Sequence, residues 1–400
     1  MSMDNPGFLD RFYPNVTGFP FPLGPLFSRK TLRYEVVPAS IWIFEQEQSL
    51  ALSGVSTTVR MTVVRLQSTG GLFVYSPIAP TKECINLVKE LGGEVEYIIL
   101  STFAYEHKIY VPPFNRAFPD AQVWVAPGQW SAPIPLPLPL LGIFPTGRLE
   151  GDDSAVPFGD ELEHRTLCAS VGIQQYSEVA FFHKATQTLI LTDAVVYVPG
   201  SPPEVVDERS LLGAGGDLPA IVLPFSSGDI DKPANKLNPP PPREPERKLR
   251  GWKRNSLNVL YIIPSNLLFP DDSFAQITSR LFVSPILKLL VFSKAPQATW
   301  EWVQQICDDW DFRQVIPAHF EAPVPTSPSE LRAAFTFLRP DAEDSSPVPQ
   351  PRQSVFSKLL GGLGRKGAPA ESGSPFPEAD ISALKSAEKF LQKVGVLNKV

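Results

Sequence analysis

The 400-residue chain carries 36 Lys and Arg against 42 Asp and Glu, a formal net charge of −6 at pH 7. That balance argues against a nucleic-acid partner, which needs a concentrated basic face. With 43% hydrophobic and 20% charged residues the chain can bury a sizeable core, so wholesale disorder is excluded and one large domain with insertions, or a few smaller ones, is expected.

Residues 1–32, rich in Pro, Phe and Gly, read as an irregular N-terminal arm. Strands follow over Tyr34–Pro38, Ile41–Phe44, Val59–Leu66 and Leu72–Tyr75, β-branched or aromatic runs separated by turn residues such as Gly70-Gly71. The spacing of Ile85, Val88 and Leu91 predicts a helix over Thr81–Leu91, ended by Gly92-Gly93. Val95–Leu100 is a short apolar strand that feeds a polar loop, STFAYEHK. A second α/β step runs through Val111–Pro119 to a strand at Gln122–Ala126. Ser131–Pro145 alternates Pro with Leu and cannot pair as a central strand, because each Pro lacks an N–H donor.

Arg165–Ser170, Glu178–His183 and Thr188–Leu191 are three more predicted strands, the last two joined as a hairpin. Residues 201–250 form a Pro-rich insertion that turns basic at Arg243–Arg254, read as an extended spacer and a solvated charged loop. Gln297–Trp310 is an amphipathic helix, Phe312–Pro317 a strand, and Ser329–Leu338 a closing helix capped by Ser327 or Ser329. Residues 339–377 read as a disordered linker. Asp380–Val394, within the terminal stretch 378–400, is a detached amphipathic helix, short enough to need a surface to fold against.

The apolar runs are all too short or too interrupted to span a bilayer. Cys84, Cys168 and Cys307 stand far apart, which argues against a disulfide scaffold and against a zinc ribbon. The N-terminal residues have neither a long apolar core nor an Arg/Ser-rich character, so no import signal is expected there.

The chain has only four histidines. His164, among alternating charges, and His183, at a hairpin edge, are expected on the surface. The other two follow apolar strands, and strand ends are rigid platforms for ligands. His107, beside Glu106, follows Val95–Leu100, and His319 follows Phe312–Pro317. Asp193 follows Thr188–Leu191 in the same way. Glu106, His107, Asp193 and His319 thus form a set of two nitrogen and two oxygen donors, which suits one divalent ion of zinc, iron or manganese. Each member also has a plain structural reading. Glu106 and His107 could be a solvated loop pair, Asp193 a turn residue, and His319 a buried ring donating to a backbone carbonyl.

The segment LFVYSPIAPTKECINLVKELGGEVEYIILS, with LILTDAVV and RQVIPAHF later in the chain, resembles the metallo-β-lactamase superfamily. More narrowly, the chain is similar to an uncharacterised family of plant, algal and cyanobacterial proteins within that superfamily. The resemblance covers roughly 33–338, the Pro-rich insertion excepted. It implies an α/β fold, an αββα four-layer sandwich of metallo-β-lactamase type, with the insertion and the C-terminal helix outside it. The superfamily motif H-x-H-x-D-H is replaced here by Thr102-Phe103-Ala104-Tyr105-Glu106-His107, and a later ligand histidine falls near Gln174. The positions lost belong to one metal site of the usual pair. Glu106, His107, Asp193 and His319 belong to the other.

The implied activity is hydrolysis of a small ester or phosphoester by a single ion, with Glu106 and Asp193 as the catalytic residues. The alternative is a pseudoenzyme that keeps the fold for binding or scaffolding. In either case 243–254 or 378–400 is a candidate surface for a protein or an anionic membrane. The resemblance places the protein in a plastid, with the cytoplasm as the alternative.

Overall fold

The computed structural model describes residues 6–14, 23–50, 55–129, 136–150, 155–173, 175–216, 244–261, 264, 267–339 and 376–398. Most of the predicted linker, most of the Pro-rich insertion, Gln174 and the start of the Pro/Leu stretch lie outside these residues; at the linker's end Phe376 is buried in an apolar cluster, not disordered.

A short helix, α1 (Phe8–Arg11), belongs to the N-terminal arm. The first sheet has eight strands: β1 (Leu23–Gly24), β2 (Leu32–Val37), β3 (Ile41–Leu50), β4 (Ser56–Arg65), β5 (Leu72–Tyr75), β6 (Val95–Leu100), β7 (Gln122–Val125) and β8 (Gly147–Arg148). β3, β4 and β5 are antiparallel neighbours, whereas β5 to β8 run parallel. The parallel steps need crossovers, supplied by α2 (Lys82–Lys89) and by α3 (Tyr105–Lys108) with α4 (Val111–Ala117). Thr81 caps α2 through the Cys84 N–H.

The second sheet has the order β15-β14-β11-β10-β9, built from β9 (Leu162–Ser170), β10 (Gln175–His183), β11 (Thr188–Ile190), β14 (Gln314–Ile316) and β15 (Val324–Pro325). A two-stranded ribbon, β12 (Val196–Tyr197) with β13 (Leu281–Phe282), lies beside it in sequence. Five further helices precede the C-terminus: α5 (Glu208–Ala214), α6 (Glu244–Tyr261), α7 (Asp271–Ala275), α8 (Pro285–Leu290) and α9 (Pro296–Asp309). α10 (Pro328–Ala334) and α11 (Glu378–Lys393) complete the set.

Three apolar layers give the architecture. Ile43, Phe73, Phe181, Ile190 and Ile316 pack between the two sheets. Trp42, Val74, Ile98 and Val123 pack on the outer side of the first sheet with Val88 of α2 and Phe114 of α4. Leu167, Leu189 and Val315 pack on the outer side of the second with Val303 and Ile306 of α9 and Leu331 of α10. The order is helices, sheet, sheet, helices, as an amphipathic chain of this size requires to cover both outer faces.

A fourth cluster, including Val198, Trp252, Leu257, Tyr261, Phe282 and Phe320, builds a helical lobe, and Val205, Val206 and Leu211 join it from the predicted insertion. The basic run there is not a solvated loop. It lies mostly in α6, where Arg247 donates to Leu212 O at 2.9 Å, Arg250 to Gly215 O at 2.7 Å and Arg254 to Leu267 O at 2.6 Å. Its guanidinium groups close the C-terminal end of α5 and a neighbouring turn, so the charge is used inside the fold. Gly251 allows the close approach: a Cβ there would meet Leu211 O at 2.0 Å.

The C-terminal helix is docked, not detached. Ile381 enters the lobe, Leu384 is fully buried, Ser273 Oγ donates to the buried Asp380, and Lys294 pairs with Glu388. Beyond α11, Asn398 N donates to Val171 O at 3.0 Å. The histidine expectations also change. His164 is 1% exposed and lies against Phe181, and His183 is fully buried with Nδ1 2.8 Å from Thr186 Oγ1. Both sit on strands whose two faces are covered. All three cysteines are free, and no helix among the described residues is long and apolar enough to cross a membrane.

Docking of α11 has a measurable consequence. Leu384 is completely buried, so Leu384→Ala is expected to lower unfolding free energy by about 2–5 kcal/mol. Urea denaturation checks this; a helix held clear of the body would show almost no change.

Candidate metal centre

Parallel pairing creates the site. β11 and β14 lie side by side with Ile190 opposite Ile316, so the chain leaving each strand emerges at the same edge. Ala318 N donates to Thr192 O at 3.0 Å, which carries the alignment one step past the strands and sets Asp193 beside His319. β6 of the first sheet ends at the same level. Val179 N of β10 donates to Ser101 O at 2.8 Å, and the chain then turns into α3, which bears Glu106 and His107.

The four side chains converge. One ligand atom from each of Glu106, His107, Asp193 and His319 lies within 4.8 Å of the others. Asp193 Oδ1 is 3.2 Å from His319 Nε2, and the two imidazole rings have centroids 5.4 Å apart. Ideal tetrahedral zinc donors are about 3.4 Å apart, given bonds near 2.0–2.1 Å, so a small contraction closes the set. Among the described residues no other group of His, Cys, Asp and Glu comes together in this way.

Each donor has a distinct setting. His107 is fully buried, and neither ring nitrogen has a hydrogen-bond partner. Burial pushes its pKa down to about 4, which keeps the ring neutral with a lone pair available. His319 Nδ1 meets Thr58 O at 2.7 Å; a carbonyl only accepts, so this nitrogen carries the proton and the ring donates, as one structural reading expected. Nε2 is thereby turned toward the cluster, the tautomer that metal-binding histidines adopt. Burial opposes charging His319, but the hydrogen bond and charge of Asp193 raise its pKa overall. Burial likewise opposes charging Asp193, yet His319 holds its carboxyl below the usual range. Burial, then the nearby Asp193, raises Glu106. His319 and Asp193 keep side-chain exposures of 12% and 17%, and Glu106 is half-buried, so this side of the cluster is in partial contact with solvent.

The sequence reading missed Glu178. It lies fully buried on β10, where Oε1 accepts the N–H groups of Thr192, Asp193 and Ala194 at 3.0, 3.1 and 3.1 Å. Tyr176 donates its hydroxyl to the other oxygen. A carboxylate can gather several donors at once, and here it fixes the backbone turn that aims Asp193. The signal for it was faint: an acidic residue directly before the apolar run Val179–Phe182 of the strand. Thr102, at one of the lost histidine positions, is buried with Oγ1 accepting Ala104 N at 3.2 Å. Tyr105 is 39% exposed and stands at the surface.

The chain belongs to the family described as domain of unknown function DUF4336, whose model matches residues 38–271 and 270–337. No curated protein matches it. Solved structures similar to it include the DIM-1 metallo-β-lactamase exposed to ceftazidime, at 9% identity and TM-score 0.38, over 76% of this chain and 96% of that one. A metallo-β-lactamase from Pontibacter korlensis is similar at 10% identity and TM-score 0.37, over 76% of this chain and 99% of that one. The metal-soaked Flv1 flavodiiron core from Synechocystis sp. PCC6803 is similar at 9% identity and TM-score 0.40, over 78% of this chain and 61% of that one. The αββα layering is of the metallo-β-lactamase type expected from the sequence, and it stands on the packing described above.

Glu178→Leu removes the acceptor of three backbone N–H groups. Each buried N–H left without an acceptor costs about 1–3 kcal/mol, so a loss of roughly 3 kcal/mol or more is expected in guanidinium denaturation. A change below about 1 kcal/mol would mean that Glu178 does not hold the turn.

Proposed function

We propose that Glu106, His107, Asp193 and His319 hold one divalent metal ion, of zinc, iron or manganese. On this reading the protein is a mononuclear metal-dependent hydrolase of a small ester or phosphoester. The observation that carries it is His107: a buried imidazole with both nitrogens unpartnered, facing two carboxylates and a second imidazole. Burying polar nitrogens without partners is costly, and crowding two carboxylates adds repulsion. A cation removes both costs at once, so the residues fit the ion.

When bound, such an ion polarises an ester or phosphoryl oxygen and makes water more acidic. The residues of the chain do the rest. His107 and His319 supply nitrogen donors, the latter oriented by Thr58 O. Asp193 supplies an oxygen, its backbone held by Glu178. Glu106 is one methylene longer than the aspartate usual at its position and sits on the open side. Its carboxylate serves as a ligand or, swung outward, accepts a proton from the attacking water as general base.

A second reading, a non-catalytic metal-binding or scaffold protein, is favoured by the donor count. Four protein donors complete a tetrahedral shell, the signature of a structural zinc.

Elemental analysis of purified protein by mass spectrometry tests the first step. About one equivalent of metal per chain is expected, falling at least about tenfold in occupancy in Asp193→Ala. Metal-free wild type, or undiminished metal in Asp193→Ala, overturns the site. Glu106→Gln then separates the two readings in an esterase and phosphodiesterase screen. A hydrolase loses about 10²–10⁴ in rate if Glu106 is the general base; a metal-loaded wild type inert to every substrate supports the scaffold.

A further inference from the structure

The segment that carries His319 is gripped from behind by the other sheet. We propose that Arg60 and Glu45 are positioning residues for the metal centre, an inference that rests on the metal-binding reading above. Arg60 and Glu45 are 1% and 7% exposed, and they face one another directly across β4 and β3. Arg60 Nε and Nη2 both donate to Glu45 Oε1, at 2.9 and 2.5 Å. The remaining donors leave the pair. Nη1 donates to Pro317 O at 2.5 Å, and Nη2 also donates to Phe320 O. These two carbonyls bracket His319 in the chain.

Thr58, two residues before Arg60 and on the same face of β4, completes the grip. Its Oγ1 accepts Phe320 N at 2.8 Å, and its carbonyl accepts His319 Nδ1 at 2.7 Å. Phe320 itself has φ 59°, a left-handed backbone that a bulky residue adopts only when its surroundings impose it. A cavity of about 460 Å³ adjoins the grip, lined by Tyr34, Glu45, Arg60, Phe320, Ala322 and Pro323 among others. Without the guanidinium the segment has free volume beside it to shift into, and His319 would shift with it.

A buried ion pair is weak evidence for stability, since apolar residues of similar volume often replace one without loss. What apolar residues cannot supply is a planar fork of five donors aimed in fixed directions. The Arg60 fork reaches three acceptors on two segments, and Glu45 neutralises and orients it. The function of the pair is therefore placement of His319.

Two variants of the full chain test this. Glu45→Leu with Arg60→Met removes both charges together, and Arg60→Lys keeps the charge but loses the fork. Zinc affinity is read by competition with a chromophoric chelator. The His319 ring is read in the metal-free protein from long-range proton–nitrogen spectra of the histidines. Both variants are expected to bind zinc roughly 10–100-fold more weakly and to lose the slowly exchanging Nδ1 proton that Thr58 protects, while the double variant still unfolds cooperatively, at a melting temperature lowered by the two carbonyls left without donors. Folded variants with wild-type zinc affinity, or with an unchanged His319 ring, overturn the proposal. If the double variant does not fold, Arg60→Lys decides by the same two readings. If wild type takes up no zinc, the metal reading fails, and the ring spectrum alone decides whether the grip exists.

Discussion

At the end of β6 the Ser101 carbonyl accepts Val179 N of β10, and at the end of β4 the Thr58 carbonyl accepts the His319 ring. These bonds fasten one sheet to the other at the edge where their strands finish. A β-sandwich held only by its apolar core can slide or splay at such an edge, because dispersion and hydrophobic contact are non-directional. Directional bonds between the sheets remove that freedom. Donors from α3, the β11 turn and the β14 turn can then share one small volume although more than two hundred residues separate the first from the last.

The edge is costly to build. It buries a carboxylate at Glu178, an ion pair at Arg60 and Glu45, and a bare imidazole at His107. Each of these is unfavourable unless satisfied, and an apolar edge would make a simpler sandwich. Glu178 is satisfied by three N–H groups and a hydroxyl, and Arg60 by Glu45 and two carbonyls. His107 alone is left without partners. Polar groups that break the local pattern of a core, and are then supported in detail, concentrate at functional sites. The unsatisfied member of such a group is where a further chemical component belongs.

The donor positions were legible because each follows a short apolar run, and runs of that kind end in turns that present side chains. The layering was not legible in this way: alternating strands and helices fit a doubly wound sheet equally well, and the four-layer order came from the resemblance alone. What the sequence concealed was polar burial. The predicted strand Ile41–Phe44 continues to Leu50, and the one expected at Val59 begins at Ser56. Glu45, Gln46, Glu47 and Gln48 on one strand, and Ser56, Thr57 and Thr58 on the other, read as turn or loop but are buried. The helical lobe and the N-terminal arm cover these strand extensions. No local pattern announces a cover that comes from remote sequence. α11 shows the same limit. Its amphipathic face was visible, but an apolar stripe does not name the surface it meets. His164 and His183 looked exposed because their neighbours are charged or lie at a turn, yet strands in the middle of four layers have no free face.

The donors differ in how firmly they are held, and this bears on whether an ion there would be structural or reactive. His319 is fixed at its ring and on both sides of its backbone, Asp193 is fixed through the turn bound to Glu178, and His107 is enclosed. Glu106 rides on α3, a helix of only four residues whose N-cap makes no side-chain bond, at the open side of the cluster. A purely structural site gains from rigid donors all round, since pre-organisation lowers the entropic cost of binding. On the hydrolase reading proposed above, three rigid donors with the fourth on a short, half-open turn would correspond to three protein ligands and one position for exchange. The longer side chain at Glu106 supplies reach in the direction where the site is accessible. Under that reading the distribution of constraint, more than the count of donors, is what would leave a position for a substrate.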